Sequence, residues 1–373
     1  MRPAKVARVL MTADTLGGVW TYAVDLTRAL GESGVEVVLA TMGGTVSRAQ
    51  LAEIRGIKNV ELVKSTYRLP WMDQPWDDVD SAGEWLLDLA SQVDPDVIHL
   101  NEPVYGSLAW SVPSVAVTHS CVLSWWESVW HTLPPPEWDH YRQAMRRGLL
   151  AADEIVAPSA WMLESVRRHY GVRTGRVVPN GRNGRELTPE VKTPVVFAAG
   201  RLWDEAKNLL ALDHVADGLA WPVYIAGDPE HPARRERVST RHCRLLGRLP
   251  PPAIAAWLRQ ASIYAFPAKY EPFGLSVLEA ALSGCALVLS DIPTLRELWD
   301  GAAVFVGPEE HATIRLALEA LIEDAGLRQA LALRARRRAL GLTPQRMARA
   351  YLDLYGDLVA KHPTALEGQA CAS

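Results

Sequence analysis

Two glutamates, Glu271 and Glu279, stand eight positions apart in the run KYEPFGLSVLEAALSG (269–284), which is otherwise rich in Leu, Ala and Phe. Pro272 and Gly274 discourage a helix from starting before about 274, so the helix runs to Ser283, stops at Gly284 and leaves Glu271 in the preceding loop. The amides of Phe273, Gly274 and Leu275 would then face an anion, with Glu271 on one side and Glu279 on the other. Carboxylates that accept paired hydroxyls hold sugars and riboses. Earlier in the chain Arg201 follows the apolar run VVFAAG, and Lys207 comes six positions on. Two cations at a strand end and a helix start suit a diphosphate, because each phosphate gains a charge-assisted hydrogen bond and the helix-terminus field. A solvated basic pair is the plain alternative. The N-terminal half offers Gly17 and Gly18 after its first strand, where backbone can approach a ligand closely or simply turn. It also offers His119 at the end of VAVT, either a hydrogen-bond donor to a ligand or a satisfied, partly buried histidine.

These residues must be positioned by alternating strands and helices. The first half reads as strands at VARVLMT (6–12), VEVVLAT (35–41), VELV (60–63), DVIHL (96–100), VAVTH (115–119), EIVAP (154–158) and RVVP (176–179). Helices at 20–34 and at about 81–92, 137–150 and 159–170 separate them. The second half repeats the rhythm with strands at 195–200, 222–227, 244–247, 262–267, 286–290 and 302–306, and with helices near 207–218, 251–260 and 294–299 before arginine-rich helices to about 362. Strand and helix in alternation mean a parallel sheet covered on both faces, and two such sheets mean two doubly wound domains. The Pro-, Gly- and Asn-rich segment 178–194 is the linker, and the tail PTALEGQACAS is frayed. In open α/β sheets ligands bind at the carboxyl ends of the strands, so the residues that matter are those just after strands.

Composition excludes several classes. A chain of 373 residues with 49% hydrophobic and 22% charged residues is an ordinary globular protein, long enough for two cores. No apolar run approaches the ~20 residues of a membrane span, and no signal-peptide pattern opens the sequence, which points to the cytoplasm. Cys121, Cys243, Cys285 and Cys371 lack metal-finger or framework spacing, so they read as reduced thiols. Residues 1–180 carry 16 Lys/Arg and 21 Asp/Glu (net −5), and residues 181–373 carry 23 and 22 (net +1), which disfavours nucleic acid as a partner. The absence of GxGxxG disfavours a nicotinamide cofactor.

The stretch EPFGLSVLEA resembles the E-x7-E motif of the retaining family 4 glycosyltransferases. The resemblance extends through GGVWTYAVDLTRAL, VTHS, PSAWMLESVRRHYG, VVPNG, AGRL, YIAGD, LLGRL and LSDIPTLREL, in family order and over essentially the whole chain. It implies an α/β protein of GT-B fold: two facing Rossmann-like doubly wound domains with a cleft between them. Residues 1–180 would bind the acceptor and 181–345 the nucleotide-sugar donor, with a C-terminal helix in 346–373 packing back toward the first domain. Arg201 and Lys207 would hold the donor diphosphate, Glu271 the donor sugar's hydroxyls and Glu279 the ribose. Phe273, Gly274 and Leu275 would present amides, and His119 would hydrogen-bond the sugar near its anomeric centre. Gly17 and Gly18 would approach the phosphates, while Arg248 and Leu249 would lie by the base. In one place the sequence departs from the pattern: the linker reads PNGRNG where the family usually has PNG-V-D, so the correspondence stops at Asn180-Gly181.

The implied chemistry is transfer of a sugar from a nucleoside diphosphate to an acceptor hydroxyl with retention. The cations and helix terminus would stabilise the leaving diphosphate without a metal or other cofactor, and Glu271 would bind rather than act as a base. Ten of the fourteen tryptophans precede residue 180. Of these, Trp20, Trp125, Trp126 and Trp130 would offer stacking faces to a sugar or small-molecule acceptor, or pack as core. Membrane association is possible but not favoured, given the acidic first half. A nucleotide-sugar 2-epimerase and a non-catalytic sugar-nucleotide-binding protein are the rival readings of the same residues.

Overall fold

The computed structural model describes residues 6–230 and 237–362; Cys371 and the tail from 363 lie outside the described residues. Two compact units result. The first holds the described residues up to Ser124, Leu133–Gly181 and those from Pro344 on; the second holds Trp125–Thr132 and Arg182–Thr343.

The first unit is built on seven parallel strands, β1 (Arg8–Asp14), β2 (Glu36–Met42), β3 (Val60–Lys64), β4 (Val97–Leu100), β5 (Ser114–Val117), β6 (Glu154–Ala157) and β7 (Arg176–Val177), in the order β3-β2-β1-β4-β5-β6-β7. The register pairs Val9 with Val37 on one side of β1 and with Val97 on the other. β4 and β5 are buried along their whole lengths, as strands covered on both faces must be. One face of the sheet packs against the helix Gly18–Gly31 and the helix Pro344–Lys361, which buries Met347, Tyr351, Leu354 and Tyr355 there. The other face is covered by Leu86, Tyr105, Met145 and Met162 from intervening helices.

The second unit carries six parallel strands, β8 (Thr193–Ala199), β9 (Val223–Ala226), β10 (Arg244–Gly247), β11 (Ala261–Phe266), β12 (Ala286–Ser290) and β13 (Val304–Val306), in the order β10-β9-β8-β11-β12-β13. Its core gathers Phe197, Ile225, Tyr264, Phe266, Leu278, Trp299 and Leu318. Strand order reverses between β1 and β4 in one sheet and between β8 and β11 in the other, and the reversal opens a crevice at the carboxyl edge of each. Gly17-Gly18 follow β1, Arg201 and Lys207 follow β8, and Glu271 follows β11.

Most elements lie within one or two residues of their sequence-based bounds; three differences have local causes. Asn208 adopts φ +50°, which no helical residue can, so the helix expected near 207–218 is confined to Leu210–Ala216. The helix Arg48–Ile54, not anticipated, is nucleated by a capping box: Gln50 N donates to Ser47 Oγ (3.2 Å) while Ser47 N donates to Gln50 Oε1 (2.9 Å). The tryptophan-rich stretch forms the helix Val122–Trp130, and its residues from Trp125 group with the second unit, not with the first as the boundary at 180 implied.

The loop carrying Arg201 depends on one glycine. Gly227, at φ +154°, donates to Gly247 O (2.9 Å) while Gly200 donates to Ala226 O (3.0 Å), and a Cβ on Gly227 would lie 1.7 Å from Gly200 O. Backbone on backbone cannot yield as a side chain does. Gly227→Ala is therefore expected to lower the melting temperature by about 5 °C or more, whereas Gly56→Ala, with nothing within 4 Å of the added Cβ, leaves it nearly unchanged. Thermal denaturation of the two variants checks this.

Candidate functional site

In the second unit the crevice between β8 and β11 is organised by a carboxylate. Glu271 Oε2 accepts a hydrogen bond from Lys207 Nζ at 2.7 Å, with only 18% and 14% of the two side chains exposed. Glu271 Oε1 accepts the amides of Gly274 (2.9 Å) and Phe273 (3.4 Å). Gly274, at φ +88°, caps the helix Leu275–Leu282, a conformation that glycine adopts without the usual steric cost. The sequence placed all three amides of 273–275 toward an anion; two of them instead bind Glu271, and the Phe273 ring is buried in the core. Leu275 opens the helix, and its amide is not among the donors to Glu271.

The loop after β8 is held to the loops after β11 and β13 by further bonds. Asn208 Nδ2 donates to Pro267 O (2.8 Å) and Pro308 O (2.6 Å), and the Lys269 amide donates to Ala206 O (2.8 Å). Lys207 Nζ also lies 5.7 Å from the Phe266 ring centroid. Arg201 donates to Asp204 Oδ2 (2.6 Å) and stacks over Trp203, yet its own side chain keeps 48% exposure. Asp204 is almost wholly buried and also accepts the Ala206 amide (3.1 Å), so it fixes the guanidinium from below. Sequence reasoning passed over Asp204, although the i, i+3 spacing in RLWD was the available signal. Glu279, in the second turn of the helix Leu275–Leu282, accepts Arg182 Nε at 2.7 Å. Arg248 is exposed at the end of β10, and Leu249 beside it is half-buried against the core.

The tryptophans divide. Trp20 is 4% exposed in the first unit's core and donates its Nε1 to Glu53 (2.7 Å), so it is not an acceptor wall. Trp125, Trp126 and Trp130 form an edge-to-face cluster in the second unit, with Trp130 40% exposed. Trp130 Nε1 donates to Glu205 (2.9 Å) and Trp125 Nε1 to Asp204 (3.4 Å), beside Arg201.

In the first unit Gly17 sits at φ +91° as cap of the helix Gly18–Gly31, and both glycines are exposed at the crevice between β1 and β4. His119 is half-buried just past β5, its ring edge-on to Tyr22 at 4.4 Å. Its Nε2 meets Asn101 Oδ1 at 2.8 Å. Asn101 Nδ2 donates to the Thr12 carbonyl, which can only accept, so the amide orientation is fixed and His119 Nε2 must carry the proton. His119 Nδ1 is then an acceptor, not the donor the sequence suggested. Behind it His99 is fully buried between the hydroxyls of Tyr22 (3.2 Å) and Tyr355. Burial lowers the pKa of His119 to about 3 and, with a smaller contribution from His119, that of His99 to about 3.

A second acidic residue, besides Asp204, was missed. Glu102 follows β4, and its carboxyl is held well above the usual range, first by burial and then by the charge of Asp14 at the end of β1. The strand-end rule that selected His119 would have selected it too.

The two histidines set a pH dependence. Their folded pKa values lie below the unfolded value near 6.5, so they contribute stability above pH 6.5 that is lost as pH falls toward 3, where the unfolded chain binds protons the native state refuses. Histidine-selective NMR at pH 5 is expected to show both rings neutral, with His119 protonated on Nε2 only; a cationic His119 at that pH would contradict the effect of its burial, and a proton on Nδ1 alone would contradict the Asn101 arrangement.

Comparison with known proteins places this geometry. Residues 16–183 match the family model described as Glycosyltransferase Family 4, and residues 193–324 match Glycosyl transferases group 1. The chain is 26% identical to a D-inositol 3-phosphate glycosyltransferase of Xylanimonas cellulosilytica, over 93% of each protein. Among solved structures it resembles sucrose-phosphate synthase from Thermosynechococcus elongatus (TM-score 0.79, 17% identity, 95% of this chain and 100% of that one). It also resembles Anabaena HepE in complex with UDP-glucose (TM-score 0.72, 16% identity, 94% and 100%). No helix among the described residues is long and apolar enough to cross a membrane. With both sheets doubly wound and both halves matched in order, the chain belongs to the glycosyltransferases of family 4 and group 1 type, with the two Rossmann-like domains of the GT-B fold.

Proposed function

We propose that the protein is a retaining, metal-independent hexosyltransferase that moves a sugar from a nucleoside-diphosphate donor to a hydroxyl of a small soluble acceptor in the cytoplasm. The observation that carries the reading is the Lys207–Glu271 pair at the β8/β11 crevice. An ammonium has three donors, of which Glu271 takes one, so Lys207 can still donate to a diphosphate while its partner keeps it in place. Arg201, steadied by Asp204 and well exposed, supplies a second cation.

Breaking the sugar–phosphate bond builds positive character on the sugar and negative charge on the leaving diphosphate. Lys207 and Arg201 stabilise that charge where it develops, which is the role a metal plays in other transferases. Glu271, already engaged by a lysine and two amides, is poorly arranged to abstract a proton and well arranged to accept sugar hydroxyls on its remaining lone pairs. Retention without an enzyme nucleophile then follows from attack on the face the diphosphate leaves, with the acceptor proton passing to a phosphate oxygen. His119, an acceptor at Nδ1, takes a hydrogen bond from a sugar hydroxyl, and Glu279 takes the ribose diol.

HepE, of the same fold, binds UDP-glucose, which supports a nucleotide-sugar donor here. The Xylanimonas relative is named for a small phosphorylated compound, which supports a soluble acceptor. Trp126 and Trp130 offer it ring faces beside Arg201. Cys121, Cys243 and Cys285 are buried and form no disulfide among the described residues, which suits a reducing compartment.

Incubation with UDP-, GDP- and ADP-sugars should release free nucleoside diphosphate in an acceptor-dependent manner. Lys207→Ala and Glu271→Ala are each expected to lower transfer by more than about 100-fold while the variants still unfold cooperatively near the parent temperature. Near-parental turnover in either variant, or conversion of the donor sugar without transfer, would overturn the reading.

A further inference from the structure

The linker residue Arg182 stands where the sequence leaves the family pattern, and the structure puts it on the second glutamate of the motif. Its Nε donates to Glu279 Oε1 at 2.7 Å, with 23% and 18% of the two side chains exposed. Its backbone amide donates to Leu342 O at 3.1 Å. Gly181/Arg182 and Thr343/Pro344 are two of the places where the chain passes from one unit to the other, so this bond ties the two passing segments together within the second unit. Arg182 is thereby anchored at its backbone, and its guanidinium is aimed at the middle of the helix Leu275–Leu282.

A glutamate side chain on a helix face has three torsions to settle, and ordering such a chain costs conformational entropy. A carboxylate already held by a directed Nε–H has met that cost before a ligand arrives, which is what preorganisation contributes to affinity. The bond at Oε1 also restricts rotation of the carboxylate, so Oε2 and the remaining lone pairs face a narrower range of directions. Lysine in this place would supply charge without the planar fork that defines direction.

We propose that Arg182 is a positioning residue for donor recognition: it fixes Glu279 so that the carboxylate reads the ribose hydroxyls of the nucleoside diphosphate. The proposal rests on the assignment of Glu279 to the ribose made above. It adds a residue, from the linker, on which that recognition depends, and it explains how the departure from PNG-V-D is accommodated by the motif that otherwise matches.

The test is calorimetric, on the full chain. UDP, GDP and ADP are titrated first, and the tightest binder is then compared with its 2′-deoxy and 3′-deoxy counterparts. The parent protein should lose affinity by about tenfold or more when a ribose hydroxyl that Glu279 accepts is removed. Arg182→Ala should bind the ribonucleotide more weakly and lose most of that discrimination, and Arg182→Lys should fall between. A residue that only stabilised the fold would change the melting temperature and leave the ribo-to-deoxy ratio intact. If the alanine variant does not fold, the intermediate ratio of the lysine variant carries the test. An Arg182→Ala protein that keeps the parental ratio overturns the proposal, as does one that binds the ribonucleotide more tightly, because Arg182 would then compete with the ribose. A parent that does not discriminate at all removes the ribose role of Glu279, and a parent that binds none of the three nucleotides removes the donor reading itself; either result takes this proposal with it.

Discussion

The crevice of the second unit hangs on the two oxygens of one carboxylate. Glu271 takes Lys207 on one and the Gly274 and Phe273 amides on the other, joining loops 64 residues apart in sequence. Neither group is deeply buried, yet neither is free in water, so the pair carries a desolvation cost that an exposed ion pair avoids. Such a pair is a weak device for stability and a good one for holding charges at set positions. The reversal of strand order between β8 and β11 provides the crevice, and Glu271 determines which polar groups line it.

The first unit solves a different problem, that of holding a neutral histidine at a strand end. Thr12, Asn101 and His119 form a chain in which the only unambiguous member, a backbone carbonyl, sets the direction of every bond after it. The aromatic residues beneath it come from far apart, Tyr22 from the first helix and Tyr355 from the last, and both meet His99. The C-terminal helix is thus part of the foundation of the site. Its contribution follows from packing, because Tyr351 and Tyr355 occupy its buried stripe along with Met347 and Leu358.

Three residues changed meaning through their partners. Trp125 and Trp130 read as walls of the first unit, and they hydrogen-bond instead to Asp204 and Glu205 in the second. Arg182 read as a break in a motif, and it bonds to the second carboxylate of the E-x7-E motif. In each case a long side chain reaches a group that is remote in sequence, and no local pattern records that reach.

The strands, the linker and the carboxyl-edge location of Arg201, Lys207 and Glu271 were legible because they depend on short-range physics: apolar runs, glycine and proline punctuation, and the rule that parallel strands deliver their ends to one edge. The helix start at Leu275 was legible for the same reason, since Pro272 and Gly274 leave no other place for it. Asn208 defeated the reading of its helix because a left-handed asparagine is stabilised by carbonyls of Pro267 and Pro308, which only the folded chain brings near. Sequence alone thus determined which residues arrive at the sheet edges. Tertiary structure alone decided what each of them does there, that His119 accepts, that Glu271 is already paired and that Arg182 holds Glu279, because hydrogen-bond direction and partner choice are properties of contacts between distant segments.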